Sequence, residues 1–155
     1  MPHKAVDFLL VGQYWSGPKI IREGPEIIRF FVDKNVEGGV FQYILENNPI
    51  KDDEVIAGFA PMHEKINFKT LGDVDENKDY LKPGTTWNET KKTPSWIKIL
   101  DRGKALFLID GKNFKKILLN GKNLKGLYFI TAKNKMDNFW IFKKAGTSKK
   151  NGLIK

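Results

Sequence analysis

Two histidines, His3 and His63, are the whole imidazole complement of this 155-residue chain, and it has no cysteine. Imidazole is the group best suited to moving protons or ligating metals near neutral pH. His3 sits in a terminal stretch expected to be mobile, so a nucleophile–histidine–carboxylate arrangement must draw on His63 as its catalytic candidate. Neither a nucleophile elbow nor a Gly-rich phosphate loop accompanies it. Two acidic clusters, Asp52-Asp53-Glu54 and the stretch from Asp73 to Asp79, could attract a divalent ion. Their spacing fits no calcium loop, and solvated acidic turns account for them, so no metal ligands are assigned. The absence of cysteine excludes a disulfide framework, a thiolate zinc site and a thiol nucleophile.

The cations carry more information. Residues 1–77 hold 8 Lys or Arg against 13 Asp or Glu, whereas residues 78–155 hold 19 against 5. Lysines spread over every outward face for solubility would explain the net charge of +9 but not so sharp a swing. Lys112, Lys115, Lys116, Lys122 and Lys125 crowd two successive turns and the strand between them, and Lys98, Arg102 and Lys104 surround the turn before. Lysines on neighbouring turns are expected to project from one end of a β-barrel, where they would neutralise phosphates and release counterions. Aromatics are interleaved at Trp87, Trp96, Phe107, Phe114, Tyr128, Phe139, Trp140 and Phe142. Strand spacing assigns most of these to the core and leaves Trp87 as the best candidate for an exposed ring on which a base could stack.

Short apolar runs divided by turn residues must position these groups, which is the pattern of an all-β, mainly antiparallel domain. Strands are expected at Ala5–Val11, Ile27–Asp33, Val40–Leu45, Glu54–Ala60, Lys65–Thr70, Ser95–Leu100, Ala105–Ile109, Phe114–Leu119, Gly126–Thr131 and Asn138–Lys143. Asp101-Arg102-Gly103 reads as a tight turn, and Asp110-Gly111 and Asn120-Gly121 as hairpin dipeptides, since both residue types tolerate positive φ. Ala105–Ile109 is nearly continuous in apolar residues, which suits a strand covered on both faces. Helix is confined to a turn near Asp52-Asp53-Glu54 or Met62–Lys65. Residues 72–94 read as one long surface loop. The expected architecture is a single small β-barrel over residues 1–146 with short hairpins, followed by a basic flexible tail at 147–155. No stretch is apolar enough to span a membrane or serve as a signal peptide, so a cytoplasmic location is expected.

From Trp96 to Gly103 (WIKILDRG) the sequence resembles the strand ending in Trp-Asp-x-Gly of the 3′-phosphoesterase domain of DNA ligase D. Phe114–Phe129 (FKKILLNGKNLKGLYF) resembles that family's strand, Gly-Lys-x-Leu-Lys-Gly turn and strand, and Phe139–Lys144 (FWIFKK) its closing strand. The likeness is clearest over residues 94–145. It implies a β-barrel that, in active members, removes 3′-phosphates and ribonucleotides from DNA ends with a manganese ion. Those members carry His-x-Asp-x-Arg on a strand that aligns here with Ile27–Asp33, placing Ile27, Arg29 and Phe31 at the three positions. The ligands are missing, and aliphatic or cationic side chains cannot coordinate Mn2+. His63, with Gly72 beyond it, matches a second family histidine that contacts the phosphate.

The leading expectation is therefore a nucleic-acid-binding barrel, catalytically degenerate and without a cofactor, meeting DNA ends through Lys98, Arg102, Lys104, Lys112, Lys115, Lys116, Lys122, Lys125 and Trp87. One alternative is an active Mn2+-dependent phosphoesterase using His63 with Asp73 or Asp75. Another is a non-enzymatic assembly or adaptor domain whose basic face docks an acidic protein.

Overall fold

The computed structural model describes residues 5–15, 25–36, 39–60, 82, 85 and 95–146. Eight strands follow one another: β1 (Ala5–Tyr14), β2 (Ile27–Val36), β3 (Gly39–Leu45), β4 (Glu54–Phe59), β5 (Trp96–Asp110), β6 (Phe114–Gly121), β7 (Lys125–Asn134) and β8 (Phe139–Lys144). They form one closed antiparallel barrel in the order β1-β2-β3-β4-β8-β7-β6-β5. The all-β expectation holds, and no helix occurs among the described residues. None there is long and apolar enough to cross a membrane. The expected strand at Lys65–Thr70, the helical turn at Met62–Lys65, almost all of the loop 72–94 and the tail 147–155 lie outside the described residues.

Closure follows from period-two alternation on strands rich in Val, Ile, Leu and Phe. The inward set comprises Val6, Phe8 and Leu10 of β1, Phe30 and Val32 of β2, Tyr43 of β3, Val55 and Ala57 of β4, Ile117 and Leu119 of β6, and Tyr128, Ile130, Trp140 and Phe142. Rings meet across the lumen, with Phe30 against Phe142 at 5.1 Å and Phe8 against Phe30 at 5.7 Å. β5 completes the circle: it pairs with β1 from Tyr14↔Trp96 to Ala5↔Leu106, and with β6 from Gly103↔Gly121 to Asp110↔Lys115.

That double pairing corrects the tight turn expected at Asp101-Arg102-Gly103. The chain passes through these residues as part of one 15-residue strand, with a register shift opposite Leu10 and Val11. Asp101 instead makes a turn elsewhere possible. Its carboxylate is buried and accepts hydrogen bonds from the backbone N–H groups of Arg102 (2.9 Å), Lys122 (2.8 Å), Asn123 (3.0 Å) and Leu124 (2.6 Å). The β6–β7 loop is thereby folded over the barrel end, and Leu124 enters the core as a plug. The Asn120-Gly121 hairpin also moves: both residues finish β6, and the loop is residues 122–124, closed by Gly121 N–H donating to the Leu124 carbonyl at 2.9 Å. Glycine is required at position 121 by space, since a Cβ there would lie 2.5 Å from Asp101 Oδ2 and 2.6 Å from Phe8 Cζ.

Three smaller corrections follow. The Asp110-Gly111 hairpin forms without either residue adopting the left-handed backbone, which Asn138 takes instead at φ 55°. Near Asp52 the chain makes a turn, with the N–H groups of Lys51 and Asp52 both donating to the Asn48 carbonyl, and Glu54 starts β4. The apolar run at Ala105–Ile109 is covered only in part: Ala105 is fully buried, but Ile109 is 45% exposed.

Asp101→Ala should leave the N–H groups of the 122–124 loop without their acceptor. Each buried donor left unmet costs ~1–3 kcal/mol, so a loss of about 3 kcal/mol or more is expected. Urea unfolding should show it as a lower midpoint at unchanged slope. Gly121→Ala should act in the same direction, and Asn123→Ala, on the exposed side of the loop, should change the midpoint little.

Candidate functional site

The two ends of the barrel are unlike. The end holding the β6–β7 loop is plugged by Leu124. At the opposite end, where β2 meets β3, β5 meets β6 and β7 meets β8, a cavity of about 370 Å3 opens among Phe41, Tyr43, Phe59, Lys112, Lys115, Lys135 and Trp140. That volume lies within the ~300–1,000 Å3 of small-molecule sites.

The cavity wall is aromatic because β3 carries rings at alternate positions, Phe41 and Tyr43, and both β4 and β8 contribute one beside them. Phe41 stands edge-on to Phe59 at 5.4 Å, Tyr43 lies 5.2 Å from Phe59, and Trp140 meets Tyr43 edge-on at 5.6 Å. Asn138 fixes this corner. Its side-chain oxygen accepts from Phe59 N–H at 3.0 Å, and its Nδ2 donates to the Phe59 carbonyl at 2.9 Å, extending the β4–β8 ladder past the last backbone pair. Tyr43 is almost wholly buried, and among the described residues its hydroxyl has no hydrogen-bond partner. Burial first, and then the negative charge of Asp110, push its pKa well above the ordinary tyrosine value.

Lys115 corrects the expected outward placement. Alternation on β6 turns it into the lumen with Ile117 and Leu119, and it is only 7% exposed. Its ammonium reaches the rim, donating to Asp110 Oδ1 at 2.7 Å and to the Gly111 carbonyl at 3.0 Å, and stands 5.6 Å from the centre of the Phe41 ring. A buried cation held by a carboxylate, a carbonyl and a ring face meets the requirement that such a charge be paired. Lys112, on the β5–β6 loop, and Lys135, on the β7–β8 loop, are exposed beside it.

Of the other cations expected there, Lys116 alone lies near this end, so the expected single basic rim divides in two. Successive hairpins of an antiparallel meander turn at opposite ends, which sends Lys122 and Lys125 to the plugged end with Arg102 nearby. Lys104 lies between the ends, paired with Asp7 at 2.7 Å. Lys98 is half-buried on β5 beside Gly12, and Lys116 lies on the outer face next to Lys115. Among the aromatics, Tyr128, Trp140 and Phe142 are core, Trp96, Phe107 and Phe114 are half-buried, and Phe139 is exposed. Trp87 and His63 lie outside the described residues, as do Asp73 and Asp75. The sequence reading missed Lys135, Phe41, Tyr43 and Phe59, although the alternation of Phe41 and Tyr43 was visible.

The strand aligned with the metal-binding strand of the phosphoesterases is β2. On it Ile27 and Arg29 stand where the expected alignment puts the ligands, and neither side chain can coordinate manganese. Arg29 is buried on the outer face, where its Nε donates to Gln13 Oε1 at 2.8 Å and its Nη1 to Gln42 Oε1 at 2.6 Å. Gln13 Nε2 donates in turn to Ser95 Oγ at 2.8 Å. This network ties β1, β2 and β3 to the start of β5. Among the described residues no three His, Cys, Asp or Glu side chains stand together as a metal group. No protein-family model matches the chain, and no curated protein matches it.

Tyr43→Phe should retain or slightly raise stability, because it removes an unpartnered buried hydroxyl and leaves the ring. Since the folded-state pKa of Tyr43 lies above its unfolded value of ~10, the unfolded chain ionises first as pH rises. Stability attributable to this residue is whole below about pH 10 and declines above it. Urea midpoints across that range should fall less steeply for Tyr43→Phe than for the native chain.

Proposed function

We propose that the protein is a nucleic-acid-binding β-barrel that engages its ligand at the open end. The observation that carries this reading is the convergence of Lys112, Lys115 and Lys135, from the β5–β6 loop, β6 and the β7–β8 loop, on one aromatic-walled cavity. Cations supply the sequence-independent attraction to phosphates, and rings supply surfaces on which bases stack at ~1–3 kcal/mol each. The strongly basic second half of the chain supports it. So does the resemblance to a DNA-end-processing family, with Ile27 and Arg29 at the ligand positions arguing for binding without that family's manganese chemistry.

A second reading, an assembly or adaptor domain, is favoured by the outer face of β4, β8, β7 and β6. Ile56, Ile141, Thr131 and Phe114 form one lateral row there, and Phe129 stacks on Phe114 at 5.6 Å. Leu118 on the same face is 42% exposed and Ile56 39%. Concentration-dependent dimerisation in sedimentation velocity, abolished by Leu118→Lys with no nucleic-acid binding, would select this reading.

Fluorescence anisotropy of a labelled, recessed DNA duplex over a series of salt concentrations tests the first. Affinity should fall steeply with salt, with a log–log slope of roughly 0.9 for each phosphate neutralised. Combining Lys112→Glu with Lys135→Glu should weaken binding by about tenfold or more, whereas Lys122→Glu with Lys125→Glu should cost much less. Equal losses from the two pairs would remove the open end from the proposal, and no binding at low salt would remove the proposal itself.

A further inference from the structure

We infer that the cavity at the open end receives one phosphorylated nucleoside, its base inside the barrel mouth and its phosphate on the lysine rim. The inference rests on the nucleic-acid reading and narrows it to a ligand class and a stoichiometry.

The lumen sets the stoichiometry. Below Tyr43 and Trp140 it is filled by Phe30, Tyr128 and Phe142, and the far end is closed by Leu124. A strand cannot thread the barrel; a single unit can enter and must leave by the same mouth. The wall sets the class. Phe41 and Phe59 are only partly buried and border the cavity, offering ring surface to a planar group.

The polar groups sort by depth. Tyr43 lines the cavity, and its hydroxyl is buried without a partner among the described residues. Lys115 spends two of its three N–H donors on Asp110 and Gly111, and among the described residues the third has no partner. With Lys112 and Lys135 at the rim it can face an anion. An apolar ligand would leave the rim lysines without an anion, and inorganic phosphate alone would leave the rings of the wall unused. A base joined to a phosphate uses all of them.

Such a ligand could be a free nucleotide or one nucleotide unstacked from a strand. Isothermal titration calorimetry of the full chain with a nucleoside monophosphate, the matching nucleoside, inorganic phosphate and a short single-stranded oligonucleotide tests the assignment. The monophosphate should bind at one per chain, with nucleoside and phosphate each at least about tenfold weaker. Lys112→Glu and Lys135→Glu should each weaken it by about tenfold, Tyr43→Phe by less, and Lys125→Glu at the plugged end not at all. An oligonucleotide that binds more tightly and competes with the monophosphate identifies the strand as the source; one that binds less tightly identifies the free nucleotide. No monophosphate binding, equal binding of inorganic phosphate, or indifference to Lys112→Glu and Lys135→Glu would overturn the inference. Strand binding with no monophosphate binding overturns this inference alone. Monophosphate binding without strand affinity overturns the nucleic-acid reading and leaves the cavity assignment standing.

Discussion

Everything in this molecule depends on the closure of the barrel through β5, the strand that pairs with β1 along one edge and β6 along the other. Closure removes free sheet edges and converts every second residue of eight strands into the filling of one lumen. A lumen of fixed width admits only a certain volume of side chain. Large rings across its middle, Phe8, Phe30, Phe142 and Tyr128, fill it there. What remains to be decided is how each end is finished, and the two are finished by different chemistry.

At one end a single carboxylate does the finishing. Asp101 gathers the N–H groups of the 122–124 loop, and that loop lowers Leu124 into the barrel. Gly103 and Gly121 sit where a side chain would collide with the Asn120 carbonyl and with Asp101, respectively. The Asp-x-Gly and Asn-Gly-Lys segments therefore have a structural explanation in this chain. At the other end no apolar plug is present among the described residues. A lysine ion-paired to Asp110 occupies the lumen face of β6 at Lys115, and the rings beside it stay partly uncovered. The pair is only part-buried, since Asp110 stays on the exposed side.

Much of the fold was legible in the sequence because alternation and turn residues are local. All eight observed strands begin within one residue of an expected start, including Ile27, Glu54 and Phe114. The errors have a common cause. Asp101-Arg102-Gly103 and Asn120-Gly121 look like turns taken alone, yet they meet across β5 and β6, and their glycines answer to that long-range approach. The site was legible only in part. Lys112 and Lys115 were identified as cations, but whether a lysine faces solvent or lumen depends on register, which the turns fix. Gathering the lysines on one rim overlooked the reversal of direction at each hairpin. Phe41, Tyr43 and Phe59 escaped because a site made by β3, β4, β6 and β8 has no contiguous signature.

The central claim is that the open, lysine-rimmed end is the working end. Its most direct test is a backbone amide NMR titration of the full chain with a short single-stranded oligonucleotide. The account predicts shifts concentrated at Phe41, Phe59, the 111–113 loop and the 135–138 loop, with Lys122, Asn123 and Leu124 unmoved. Shifts centred on the 122–124 loop, or spread along the outer face at Leu118 and Phe129, would contradict it.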